Sequence, residues 1–185
     1  MDNTAEQYRR FLHGDNDAIA EIITVHRAGL ELFLQTIVGD AQLAEELTQE
    51  TFVKIFIKKP RFKPTASFKT WLYTIGKNEA LRYLKKQKRS VPLSYDDAVL
   101  LPDDAPTVEE QYFADERKHA VHTVLGKLNP AYREILWLTY FEGLSNKECA
   151  LMLGKNVHSI ESLVSRARKA LKDQLRKDGF LDENE

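Results

Sequence analysis

The sequence is short of everything that would tie it to an oxidising compartment or a bilayer. Its one cysteine, Cys149, excludes an intramolecular disulfide. No window approaches the roughly 18 to 20 apolar residues that a membrane crossing needs, so any membrane connection has to come through a partner. The opening MDNTAEQYRR has neither a basic region nor an apolar run. No secretory signal is therefore expected, and the protein is expected to be cytoplasmic. An excess of charge of one sign is missing too. Against 27 Lys and Arg stand 28 Asp and Glu, a formal net charge of −1, so the molecule as a whole is no polyanion binder. Any nucleic-acid function must come from charge segregated along the chain.

Catalytic signatures are equally scarce. No Gly-rich phosphate loop and no nucleophile motif occurs. His119 and His122 share a helix face but lack further ligands at matching spacing, and His13, His26 and His158 are scattered. No metal, cofactor or enzyme activity is expected. Cys149 falls inside a short helical stretch and reads as a small buried hydrophobe, with a redox role only if it is part-exposed. Alternating apolar and polar runs are absent as well, which argues against strands.

Helical periodicity is what is present. Tyr8, Phe11 and Leu12, then Ile19, Ile22, Ile23, Leu30, Phe33, Leu34 and Ile37, predict two helices broken at Gly14 and Asp15. Gly39 and Asp40 read as a stop and an N-cap, and Leu43, Leu47, Phe52, Ile55 and Phe56 give a third helix its apolar face. Its other face is acidic: Asp40, Glu45, Glu46 and Glu50 stand there without a base. After Pro60 and Pro64, Ser67 caps a fourth helix, SFKTWLYTIGKNEALRYLKKQKR. Lys69, Lys77, Arg82, Lys85, Lys86, Lys88 and Arg89 oppose Glu79 alone. Cations track phosphates and aromatic faces stack on unpaired bases, so this mixture suits melted nucleic acid better than closed duplex. The stripe of Trp71, Leu72 and Ile75 is read as core. Phe68, Tyr73 and Tyr83, off its centre, are read as stacking candidates.

Composition then changes. Residues 90–106 hold Pro92, Pro102 and Pro106, and from Ser90 to Glu116 there are eight acids and no Lys or Arg. This is a linker, closed by a T-x-x-E capping box at Thr107 to Glu110. The chain is therefore all-α, with two small helical domains at 1–89 and 107–185. In the second, Asn129-Pro130 opens a helix with Ile135, Leu136, Leu138 and Phe141 inward, ending at Gly143. Ser145-Asn146-Lys147-Glu148 is a capping box for a short helix with Ala150, Leu151 and Leu153 inward. Gly154 turns the chain into a long helix, Val157 to about Lys177, with Val157, Ile160 and Val164 inward and Arg166, Arg168, Lys169, Lys172, Arg176 and Lys177 outward. Short helix, tight turn and long basic helix form a helix-turn-helix, which predicts duplex-DNA binding.

With these pieces in place the chain resembles the extracytoplasmic-function (ECF) sigma factors of bacterial RNA polymerase over nearly its whole length. GDAQLAEELTQETFVKIF is similar to the family's polymerase-binding helix, SFKTWLYTIGKNEALRYLKKQKR to the segment that captures the minus-ten element, and LNPAYREILWLTYFEGLSNKECALMLGKNVHSIESLVSRARKALK to the domain that reads the minus-thirty-five element. The resemblance implies that Glu45, Glu46, Gln49, Glu50 and Lys54 bind core polymerase. It implies that Phe68, Lys69, Trp71, Tyr73, Lys77, Asn78, Arg82, Tyr83, Lys85, Lys86 and Arg89 meet the minus-ten strand. For the minus-thirty-five duplex it implies Asn156, His158, Ser159, Glu161, Ser162, Ser165, Arg166, Arg168 and Lys169. It further implies core RNA polymerase and promoter DNA as partners, together with an anti-sigma factor. Departures occur at Arg82, where many relatives have Asp, and in Ser159-Ile160-Glu161-Ser162-Leu163, where relatives commonly read T-V-K-S-R. A helix-turn-helix regulator without sigma activity is the alternative, but it needs no basic aromatic helix in the N-terminal half.

Overall fold

In a computed structural model, which describes residues 3–90 and 123–181, with side chains for 3–87 and 123–181, the chain divides into two compact units, Met1–Asp104 and Ala105–Glu185. Among the described residues every regular element is helical. The expected linker beyond Ser90, the capping box at Thr107 and the pair His119 and His122 lie outside them.

The N-terminal unit is built from α1 (Thr4–Leu12), α2 (Asp17–Val38), α3 (Ala41–Lys58) and α4 (Phe68–Ser90). Local chemistry sets the corners. Gly39 closes α2 in the left-handed region at φ 75°, and the Asp40 carboxylate accepts from the Leu43 N–H at 2.6 Å to start α3. Ser67 does the same for α4 through the Thr70 N–H. Helix α2 is central and packs on α1, α3 and α4. Its Leu30, Phe33 and Leu34 are fully buried. The two helices α2 and α4 come close at Gly76 of α4, where a Cβ would stand 2.9 Å from Leu30 Cδ1. An aromatic cluster fixes the connection from α3 to α4. Tyr8 lies 5.3 Å from Phe68 and 5.1 Å from Trp71, centroid to centroid, and its hydroxyl donates to the Pro60 carbonyl at 2.7 Å. Burial pushes that hydroxyl up to about 12, so it keeps its proton and stays a donor.

The C-terminal unit holds α5 (Pro130–Leu136), a π-helical turn (Trp137–Phe141), α6 (Asn146–Leu153) and α7 (Val157–Lys177). Asn129 caps α5 by accepting from the Tyr132 N–H. The expected inward set there lacked Trp137. In the structure Ile135, Leu136, Trp137 and Leu138 are all buried. Four consecutive inward residues do not fit a regular 3.6-residue turn, and the wider turn, with the Glu142 N–H bonding the Trp137 carbonyl at 3.1 Å, resolves the conflict. Trp137 stacks on Phe141 at 4.4 Å and donates its indole N–H to Glu142. A second correction concerns α6. Leu151, expected inward, is 60% exposed and Leu153 is half-buried, whereas Met152 joins the expected Cys149 and Ala150 in the buried set, on the side where α6 crosses α7.

The crossing at Gly76 yields the first prediction. Gly76→Val should destabilise the N-terminal unit by about 1–3 kcal/mol, the usual range for overpacking a filled core. Hydrogen exchange of the α2 and α4 amides should accelerate accordingly. Unchanged exchange would mean that Leu30 moves aside without cost.

Candidate nucleic-acid interface

Three surfaces carry the residues singled out above. On α3, Glu46, Gln49 and Glu50 are exposed and Glu45 is half-buried. Glu45 is already engaged: its carboxylate takes the Arg27 guanidinium at 2.8 Å and the Gln49 amide at 3.2 Å. Arg27 also faces the buried Glu31 at 3.8 Å. Burial, and then Glu45, pushes the Glu31 carboxyl above the ordinary glutamate range, against the pull of Arg27. Lys54 is half-buried and bonded to Glu79 of α4, 25 residues away. An open groove of about 640 Å³ runs between the two helices, with Glu46, Gln49, Glu50 and Arg82 at its rim. Its apolar lining was not anticipated from the sequence. Val53 and Ile57 are 54% and 71% exposed, one turn apart. The signal was there in that spacing, which sets them off from the buried line of Leu47 and Ile55.

Helix α4 corrects two stacking candidates. Phe68 and Tyr73 are each 1% exposed, Phe68 inside the Tyr8 and Trp71 cluster and Tyr73 stacked on Phe33 at 5.4 Å, so neither presents a face to a base. The buried arc of α4 runs through Leu72, Tyr73, Gly76 and Ala80, wider than the apolar stripe and displaced toward its small residues. Leu72 is core as expected; Trp71 and Ile75 are only half-buried. Trp71 shares a side of the helix with Asn78, Arg82 and Lys85, at i+7, i+11 and i+14. Of these, Asn78, Arg82 and Lys85 are exposed, as is Lys86, and Tyr83 is 40% exposed. Lys77 is half-buried, and the Lys69 ammonium lies 5.6 Å over the Tyr73 ring. The Arg89 side chain lies outside the described residues.

Arg82 does not stand alone on this face. Its guanidinium grips Glu79 through two bonds, at 2.7 and 3.0 Å, and Glu79 is 8% exposed. Lys54, Glu79 and Arg82 thus clamp α3 to α4. Glu79 read from the sequence as one acid diluted among cations, and only its tertiary pairing with Lys54 reveals the clamp.

On α7 every residue singled out above for the duplex is exposed, whereas Val157 and Val164, expected inward, and Arg176, expected outward, are half-buried. Asn156, His158, Ser159, Glu161, Ser162, Ser165, Arg166, Arg168 and Lys169 are exposed, and Ile160 and Ala167 are buried opposite them. Asn156 is also the N-cap, accepting from the Ser159 N–H at 2.7 Å. The capping box of α6 is complete: the Ser145 N–H donates to Glu148 at 3.0 Å and the Glu148 N–H to the Ser145 hydroxyl at 3.3 Å. Gly154, in the left-handed region at φ 61°, turns the chain between the two helices. Cys149 is fully buried, and burial followed by Glu148 pushes its thiol up to about 11, which leaves it a neutral packing residue. Among the described residues no group of three His, Cys, Asp or Glu is placed to hold a metal ion, and no helix is long and apolar enough to cross a membrane.

Comparison with known proteins follows the same division. A family profile described as sigma-70 region 2 matches residues 22–90, and one described as sigma-70, region 4 matches residues 118–171. The chain is 28% identical to the ECF RNA polymerase sigma factor SigW of Bacillus subtilis, over 88% of this chain and 91% of that one. It is 30% identical to SigM, an ECF RNA polymerase sigma factor of the same organism, over 83% and 93% respectively. Among solved structures it is similar to the sigma factor RpoE crystallised with the anti-sigma factor NepR from Bartonella quintana, with TM-score 0.64, 25% identity, and coverage of 85% of this chain and 96% of that one. CnrH, solved with the cytosolic domain of CnrY, shares the fold at TM-score 0.64 and 23% identity, covering 95% and 96%.

The Glu31 environment yields a pH prediction. Because its carboxyl titrates above the usual value in the folded state, ionisation is penalised at neutral pH and the penalty disappears below the ordinary glutamate value of 4.5. Glu31→Gln should therefore raise the thermal midpoint at pH 7 and lose that advantage as the pH falls to about 4. An equal gain at both values would rule out desolvation of the charge as its origin.

Proposed function

The chain belongs to the extracytoplasmic-function branch of the sigma-70 family and is an RNA polymerase sigma factor that acts in transcription initiation, and from that premise we propose how its surfaces divide the work. The domain limits are 1–89 and 107–185, with 90–106 as connector. The α3 face of Glu46, Gln49 and Glu50, with Glu45 and Lys54 held beside it by Arg27 and Glu79, docks on core polymerase. The exposed side of α4, from Trp71 through Asn78 to Lys85, with Tyr83 and Lys86, receives the minus-ten strand. Helix α7 enters the minus-thirty-five duplex. The observation that carries this reading is the segregation of charge within one small unit: acids exposed on α3, cations exposed on α4, and the one acid of α4 turned inward.

The mechanism is binding energy applied to open DNA, and the protein performs no covalent chemistry itself. Unstacking a base costs a few kcal/mol, and stacking on an aromatic face returns about 1–3 kcal/mol, so a docked sigma factor tips a nearly balanced opening equilibrium. Trp71, wedged against Tyr8 and Phe62, is held in place before DNA arrives, which lowers the ordering cost of such a stack. We extend to the protein a cytoplasmic location and an anti-sigma partner that covers these faces; the complex of its structural relative RpoE with NepR supports the latter.

Run-off transcription with core polymerase and this protein on a genomic-fragment library tests the reading. Discrete transcripts dependent on the protein are expected. Glu46→Lys with Gln49→Ala should abolish both the transcripts and co-purification with core while leaving the helical spectrum unchanged, since these side chains are exposed and charge reversal removes partner contacts rather than packing. Undiminished co-purification would remove α3 as the docking face.

A further inference from the structure

Between Val157 and Lys172 Glu161 is the only acid of the recognition helix, in a stretch that carries Arg166, Arg168, Lys169 and Lys172. Neither helix stability nor packing calls for it. The cap is supplied by Asn156, and Glu161 lies beyond the first turn, where the helix dipole favours acids. Its side chain is 55% exposed, and its one ion-pair contact among the described residues is His158, 3.9 Å away and 91% exposed, too long for a hydrogen bond. It stands at the edge of the exposed face, where α6 meets α7, lining with Asn146, Ser165 and Arg168 a cleft of about 340 Å³. Arg168 follows on the same edge two turns later, about 10 Å along the axis at 1.5 Å per residue, without bonding to Glu161.

A carboxylate on a DNA-facing helix is costly almost everywhere. Phosphates repel it, and the major-groove edges of guanine and thymine set acceptors against its acceptors. Adenine offers an amine but places N7 beside it. Cytosine alone presents an amine with no neighbouring acceptor. We infer that Glu161 is a base-reading residue that accepts from the exocyclic amine of a cytosine in the upstream promoter element, with Arg168 anchoring the same edge of the helix on a phosphate. The inference rests on the reading of the C-terminal unit as the duplex-binding part of the sigma factor.

Selection from a duplex library randomised across both promoter elements, with holoenzyme reconstituted from core polymerase and the full chain, tests it. The wild-type pool should hold a cytosine at one upstream position. Glu161→Gln should move that position toward adenine, because an amide pairs with adenine N6 and N7. Glu161→Ala should leave it degenerate, with roughly tenfold of preference lost, the scale of one good base contact. All other positions should keep their letters, which also shows that the variants are folded. Arg168→Ala should keep the wild-type motif and reduce the salt slope of binding by about 1. Unchanged letters in both Glu161 pools overturn the assignment while leaving the sigma reading intact. A wild-type pool with no upstream motif overturns both.

Discussion

The crossing of α2 and α4 at Gly76 decides which face of the basic helix is left for a ligand. Leu30 and Leu34 of α2 fill the space where a side chain would stand, so α4 presses in on its Gly76 and Ala80 side and carries Tyr73 onto Phe33. Once that arc is buried, the opposite side, with Asn78, Leu81 and Lys85, can only face out. The same contact thus sets the core and the functional surface. Dispersion and burial of a few leucine and aromatic side chains, each worth about 1.5–3 kcal/mol, hold an array of cations together that would otherwise repel one another.

Electrostatics then refines what packing arranges. Glu79 draws Lys54 and Arg82 onto a nearly buried carboxylate and ties the helix that carries the acidic face to the helix that carries the cationic one. Lys54 and Glu79 are poorly solvated, so removing either leaves the other without its counter-charge, whereas Arg82 reaches Glu79 from the solvent side. Arg27 plays a similar part between Glu31 and Glu45. Both clusters border the α3 face, so the acids assigned to polymerase docking are presented by a braced surface and pay less ordering cost when a partner arrives.

Much of the fold was legible because its punctuation is local. Asp40, Ser67, Asn129 and the Ser145 and Glu148 box each satisfy backbone groups within three residues, and α3, α4, α5 and α6 start where these caps predict. The exposed set on α7 comes from the family resemblance, and periodicity contributes only the buried Ile160 opposite it. What escaped depends on context. Counting apolar residues cannot see Gly76 and Ala80 as the contact side of α4, and so it leaves Phe68 and Tyr73, which that contact buries, outside the stripe. A 3.6-residue period cannot anticipate a π turn, and so it leaves Trp137 off the inward face. The partnership of Glu79 with Lys54 spans 25 residues and is invisible until α3 and α4 pack. The departures at Arg82 and Glu161 likewise acquire meaning only with their neighbours in view.

The central claim is that the outward side of α4 opens DNA rather than merely dissolving the helix. Permanganate reactivity of unpaired thymines, on a promoter recovered by run-off transcription, measures this directly. Tyr83, Lys85 and Lys86 are exposed, so replacing all three by alanine should leave folding and core binding nearly unchanged, while loss of a stack and phosphate contacts should cost the open complex several kcal/mol. Since about 1.4 kcal/mol is already tenfold, reactivity on the closed template should fall by far more than ten, and a template with a pre-melted bubble should recover much of the transcription. Normal permanganate reactivity of the triple variant on closed duplex would contradict the account and leave α4 as a solvated helix.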